Sequence, residues 1–167
     1  MDVNVFLSRS LFSRVMDMKD QDLSFAKLKL VDEDLSLVIV KNGKVVFETK
    51  KQGVTGFLEA IEKLNQDLVG ASVADKIVGV AAAMLCVYSS VSSVFALTIS
   101  EGGIRVLENN NIAYLFDKKV SNILNRNKTD VCPFEKLAMD SGSSNEAYVK
   151  LKTCASQMMR KSTKTNG

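Results

Sequence analysis

The chain has 167 residues, 46% of them hydrophobic, and a formal net charge of +3. That length suits one domain with enough apolar residues for a core, and so mild a charge argues no strong attraction to nucleic acid or membrane. The absence of histidine excludes Ser-His-Asp and Cys-His catalysis and most catalytic zinc sites, and three cysteines with no C-x-x-C pair make neither a disulfide framework nor a zinc pattern.

Residues 1–20 carry Phe6, Leu7, Leu11, Phe12, Val15 and Met16 at helical spacing, with Arg9 and Arg14 between them. Asp2, Asp17 and Asp20 offset the basic residues, and transit peptides are poor in acids, so this stretch reads as an added helix or a disordered leader. A single domain is expected over 21–160, with a frayed tail over 161–167. Leu23 to Leu30 predicts a short helix. The β-branched run Leu35 to Val40 predicts a buried strand, Asn42-Gly43 a hairpin turn, and Lys44 to Thr49 the returning strand. Val54 to Val69 places Phe57, Leu58, Ile61, Leu64 and Leu68 on one helical face, and Gly70 stops it.

Ser72, with Asp75 three places on and the apolar run Ile77 to Val87 behind it, has the pattern of a capped helix start. A helix from about Ser72 to Tyr88 is expected, buried because nothing after Lys76 gives it a charged face. Ile77 to Ser100 holds no charge and exceeds the ~20 residues that span a bilayer. Four serines among Ser89-Ser90-Val91-Ser92-Ser93 divide it, so it reads as a buried helix, a turn and a strand over 91–99 rather than a membrane span. Ser100-Glu101-Gly102-Gly103 opens a helix that Asn109-Asn110-Asn111 ends, and Ile112 to Phe116 is a further strand. Residues 120–124 are ambiguous, and 125–130 form a polar loop. Pro133 suits the first position of a helix through Leu137 and Met139, and 145–160 form the last helix. A hairpin followed by strand–helix alternation implies a mixed sheet with helices on both faces.

Three polar features fall at expected helix starts. Ser72 reads mainly as a cap, Asp75 as a cap or an acid–base group, and Lys76 as a group in want of an anion, since a helix N-terminus repels it. Ser100, Glu101, Gly102 and Gly103 present backbone amides that could hold an anion, although their spacing matches no phosphate-loop or dinucleotide fingerprint. Cys132 precedes Pro133 at an N-cap position, where thiolate is favoured, while Cys86 falls in the buried helix and Cys154 has no activating neighbour. Asn125, Arg126, Lys128 and Thr129 could grip a phosphate or carboxylate, or merely solvate the loop.

Gly-Ala-Ser-Val-Ala-Asp-Lys at 70–76, Ile-Ser-Glu at 99–101, Leu-Val-Ile-Val-Lys-Asn-Gly at 37–43 and the run Ile123 to Lys136 together resemble the DUF1893 family, from about Leu23 to Lys152. That resemblance implies a three-layer α/β/α sandwich with a mixed sheet of the cytidine deaminase-like type. In zinc deaminases a His-x-Glu or Cys-x-Glu motif starts one helix and Pro-Cys-x-x-Cys the next, and the two turns share a zinc. On this resemblance Ala74-Asp75-Lys76 and Ser100-Glu101-Gly102-Gly103 fall in those places, and no zinc ligand of the pattern is present. Deaminase activity is therefore not inherited with the fold.

Two readings stay open. In the first the chain acts on, or binds, a small nucleoside-like or anionic ligand, with Cys132 as nucleophile, Lys76 steadying thiolate or anion, and Asp75 taking a proton. In the second it is a non-catalytic module for a ligand, RNA or protein. Basic residues Lys150, Lys152, Arg160, Lys161 and Lys164 leave nucleic acid open as a partner, although a solvated helix face is the plainer reading. A homo-oligomer is also open. No metal or other cofactor is expected, and a reducing, cytoplasmic setting suits the cysteines.

Overall fold

The computed structural model describes residues 3–164, with side chains for 18–163. A mixed sheet runs in the order β2-β1-β3-β4-β5. Strands β1 (Leu37–Lys41) and β2 (Lys44–Thr49) form the hairpin. Asn42 and Gly43 sit at φ 52° and 74°, the left-handed pair that matches a two-residue turn to the strand twist. Leu37 to Val40 are buried because β1 lies inside the sheet with both faces covered.

The main difference from expectation lies in residues 72–88. They are not one helix. Ser72–Val78 is a strand, β3, antiparallel to β1 and parallel to β4 (Ser93–Ser100), and only after Gly79 does α3 (Val80–Tyr88) begin. The β-branched residues Val73, Ile77 and Val78 favour the strand, and Gly79 separates two apolar runs that read as one in the sequence. β4 is followed by α4 (Glu101–Asn109) and the parallel edge strand β5 (Ala113–Val120), as the spacing predicts, although β5 runs four residues past Phe116. Right-handed crossovers from β3 to β4 and from β4 to β5 advance in one direction, so α3 and α4 lie on one face.

That face is also covered by α2 (Val54–Leu64), extended by a 3-10 turn over Asn65–Leu68, by α5 (Pro133–Met139) and by α6 (Ser144–Lys164). Phe57, Leu85, Leu107 and Leu151 meet Ile39, Val73 and Ile99 of the sheet in the larger core. Helix α3 packs against α4, α5 and α6 on its outer side, which is why it has no polar face. The other face is covered by α1 (Val3–Asp32), whose Leu23, Ala26 and Leu30 bury against Val38, Val40, Ala74 and Phe95. The result is the expected mixed α/β/α arrangement.

α1 is one continuous helix rather than a short one over 23–30. The side chains of Phe6 to Met16, on which the reading of residues 1–20 rests, lie outside the described residues. α6 continues past Arg160 to Lys164, and residues 165–167 of the expected tail also lie outside the description. Asp22 ties α1 to the hairpin. It is 7% exposed, and its carboxylate accepts from the Asn42 amide at 2.8 Å and the Gly43 amide at 2.7 Å. No helix among the described residues is long and apolar enough to cross a membrane.

Candidate functional site

A cleft of about 670 Å³ opens beyond the carboxyl end of β3. Asp75 and Ile77 of β3, Gly53 and Thr55 at the start of α2, the loop Ile123 to Asn127, Cys132 to Glu135 at the start of α5, and Ala155, Met158 and Met159 of α6 line it. Crevices outside the carboxyl ends of strands are the usual ligand sites of open α/β sheets. A volume in the range of ~300–1,000 Å³ is typical of small-molecule sites. The walls are mainly apolar, and a few polar groups converge on them.

Asp75 is the titratable group that stands out. In the strand, alternate side chains face opposite sides of the sheet, so Asp75 and Ile77 share the cleft face. Asp75 Oδ1 accepts from the Ile77 amide at 2.9 Å. Burial pushes its carboxyl up to about 7, against the opposing pull of that one amide. An acid poised near neutrality can both give and take a proton at physiological pH. Cys132 sits half-buried at the N-cap of α5 on another wall, with Asn125 and Arg126 beside it on the loop. Asn125 shapes that loop by accepting from the Thr129 amide at 3.0 Å.

Several sequence candidates lie elsewhere. Lys76 points to the α1 face, where its Nζ pairs with Asp34 at 2.6 Å, and it does not line the cleft. Ser72 is no helix cap: it is fully buried in β3, and its hydroxyl accepts from Ser93 Oγ at 2.9 Å. Ser100 is the cap of α4, accepting from the Gly103 amide at 3.0 Å, so Ser100, Gly102 and Gly103 serve the helix start while Glu101 faces solvent. These four residues and Lys128 lie outside the cleft lining. Cys86 is buried on α3, where burial and then the Asp75 charge raise its thiol well above the ordinary range. Of the basic residues on α6, Lys150 pairs with Glu146 at 2.6 Å and Lys152 with Glu62 at 2.9 Å.

Sequence reasoning missed Glu135, which is 5% exposed at the floor of α5. Its two carboxyl oxygens accept from the Val80 amide at 2.7 Å and the Ala81 amide at 2.9 Å. Burial raises its pKa, and the two amides oppose that rise. No short motif announces such a bond, because donor and acceptor are 55 and 54 residues apart.

The residues at the two helix starts do not fit a zinc ion. The first start is Gly79-Val80-Ala81, not the Asp75 region, and the second is Ser100-Glu101-Gly102-Gly103; neither offers imidazole or thiolate. Among the described residues no three Cys, Asp or Glu side chains gather as a metal would require.

A family profile described as TM1506, domain of unknown function (DUF1893), matches residues 25–154. The crystal structure of a DUF1893 family protein (TM1506) from Thermotoga maritima is similar at a TM-score of 0.71 and 27% identity, covering 81% of this chain and 89% of that one. RibD from Acinetobacter baumannii is similar at a TM-score of 0.43 and 18% identity, over 63% of this chain and 35% of that one. The dCMP deaminase of cyanophage S-TIM5 gives 0.42 and 13%, over 62% and 98%. No curated protein matches the sequence.

Proposed function

The chain belongs to the DUF1893 family, and from the cleft it builds we propose that it binds a small nucleoside-like or anionic ligand, with Asp75 exchanging a proton with that ligand. The observation that carries this reading is a carboxyl raised to about 7, held by one amide and turned into a cleft of about 670 Å³. Such a group costs stability when it ionises, and costly ionisable groups in clefts are candidates for function. Ile77, Phe134 and Met158 offer apolar walls to a ring system, and Arg126 offers a guanidinium to a carboxylate or phosphate at the rim. Cys132 on the wall is positioned to touch a bound ligand, whether as nucleophile or as bystander. Lys76 has no part in this site.

The test uses free nucleobases, nucleosides and nucleoside monophosphates as separate probes against the full chain. Expected is binding by one class, read as amide shifts at Asp75, Arg126 and Cys132. Its Kd should change across pH 7 in the wild type and stay level in Asp75→Asn. Mass spectrometry of the bound probe then separates an enzyme, which alters it, from a module that only holds it. No shift at those residues with any of the three classes would overturn the reading.

A further inference from the structure

We infer that Glu135 is a positioning residue whose carboxylate serves as an internal anion at the start of α3. It takes up the hydrogen bonds and the space that a ligand or metal would otherwise meet there, and it fixes the α5 wall of the cleft. The inference stands whether or not the cleft binds a nucleoside-like ligand.

The first turn of any helix leaves backbone N–H groups without partners. Gly79, the N-cap of α3, has no side chain to offer, and Val80, Ala81, Ala82 and Ala83 follow with none that can accept. The partner comes instead from α5, in the bonds from Val80 and Ala81 to the two Glu135 oxygens. Both oxygens accept and neither donates, the pattern of an ionised group. The positive end of the helix dipole faces that charge and offsets its burial.

The neighbouring backbone is shaped around the carboxylate. A Cβ at Gly79 would fall on the carboxyl carbon and both oxygens of Glu135. On the far side, a Cβ at Gly103 would come 2.9 Å from the Val78 carbonyl oxygen and 3.1 Å from that of Gly79. A Cβ at Gly102 would come 2.6 Å from Val80 Cγ2. The two helix starts therefore meet backbone against backbone, and the remaining room is filled by this chain's own carboxylate. In a zinc deaminase the corresponding turns carry the metal ligands. Here glycines and an acid whose oxygens are already engaged stand in that region.

This link helps to hold α5. The helix has seven residues, of which Glu135 and Ala138 are buried and Phe134 and Leu137 pack partly buried against the core. Yet its start supplies Cys132, Pro133 and Phe134 to the cleft. Hydrogen bonds to a charged group are worth roughly 1.5–3 kcal/mol each. The loss of each one shifts the opening equilibrium of its own amide by roughly ten- to a hundred-fold.

The experiment compares wild type, Glu135→Ala and Glu135→Gln. Hydrogen exchange at the Val80 and Ala81 amides is read by NMR, and melting is followed with zinc chloride or a chelator present. Expected for Glu135→Ala is a lower melting temperature and exchange at the Val80 and Ala81 amides faster by roughly ten- to a hundred-fold each. Sodium formate should slow that exchange relative to sodium chloride at equal ionic strength, in the variant and not in the wild type. Glu135→Gln keeps the shape with one acceptor oxygen and should fall between the two, which preserves the test if the alanine variant fails to fold. Wild type should take up no stoichiometric zinc and melt alike with metal or chelator. Three results would each overturn the inference: a glutamine variant identical to wild type, formate acting equally on both proteins, or one zinc bound per wild-type chain.

Discussion

Asp75 and Lys76 are neighbours in sequence and face opposite sides of the sheet: the carboxyl lines the cleft, and the ammonium pairs with Asp34 on the α1 side. A strand's period of two imposes this separation. Lys76 therefore exerts no contact on the cleft. Lys76→Ala should leave the Asp75 titration and probe binding unchanged, as followed by the Asp75 carboxyl carbon in NMR. A shift of that titration as large as the one produced by changing a cleft residue would return Lys76 to the site.

Ionising Asp75 should make the fold less stable as pH rises. Its folded pKa of about 7 lies above the ordinary 3.8, so the folded chain holds that proton more tightly than the unfolded chain does. The stabilisation is complete below pH 3.8 and is lost as pH rises to about 7, with little further change above. At 1.36 kcal/mol per unit the loss is at most about 4 kcal/mol. Asp75→Asn has no such proton to lose. Urea unfolding from pH 4 to 8 should show the wild type falling relative to the variant across that window. Glu135, raised in the same direction, is present in both proteins and cancels in the difference. Parallel curves would mean that the Asp75 carboxyl ionises as it would in water.

Much of the fold is legible from short-range pattern. Leu37 to Val40 read as a buried strand, Asn42-Gly43 as its turn, and Phe57, Leu58 and Ile61 as the inner face of α2, because each signal is complete within a few residues. β3 is not legible in that way. Ser72 and Asp75 imitate a helix cap, and Ile77 to Val87 imitate a single run, although Gly79 divides it. That misreading also placed Lys76 beside Asp75 on one surface. Asp75 and Cys132 are visible as chemistry in the sequence, and the structure brings both to the cleft lining. Asp22 and Glu135 are not visible, since their meaning lies in amides 20 to 55 residues away.

Asp22 should matter more than its place on a helix surface suggests. Its two oxygens hold the Asn42 and Gly43 amides of the hairpin turn, and the side chain is buried between α1 and that turn. Removing the charged acceptor of these two part-buried hydrogen bonds costs roughly 1.5–3 kcal/mol. Asp22→Ala should lower unfolding free energy by that order and speed hydrogen exchange at Asn42 and Gly43 ahead of the rest of β1. Exchange at wild-type rates would show that the turn holds itself.

Gly103 should tolerate no side chain. The Cβ of Gly103→Ala would press on the Val78 and Gly79 carbonyls, which belong to backbone and cannot rotate aside. Overpacking of this kind costs about 1–3 kcal/mol. Alanine is otherwise the better helix former, so an increase in melting temperature would reveal slack between the starts of α3 and α4. The expected result is a decrease, with far-ultraviolet dichroism preserved because both helices remain.

The three thiols should separate by burial. Cys86 lies on α3 between the sheet and the outer helices, 1% exposed, and its thiol is held in the protonated form by burial and by the Asp75 charge. A buried thiol neither ionises nor meets reagent, whereas Cys132 and Cys154 are both partly exposed. Ellman's reagent at pH 8 should therefore modify Cys132 and Cys154 in the native chain, and Cys86 only at the rate of unfolding. In Asp75→Asn one of the two causes of the Cys86 shift is removed and the larger, burial, remains, so its protection should persist. Prompt native-state modification of Cys86 would mean that α5 and α6 do not cover the outer side of α3, and the cleft they form would lose its wall.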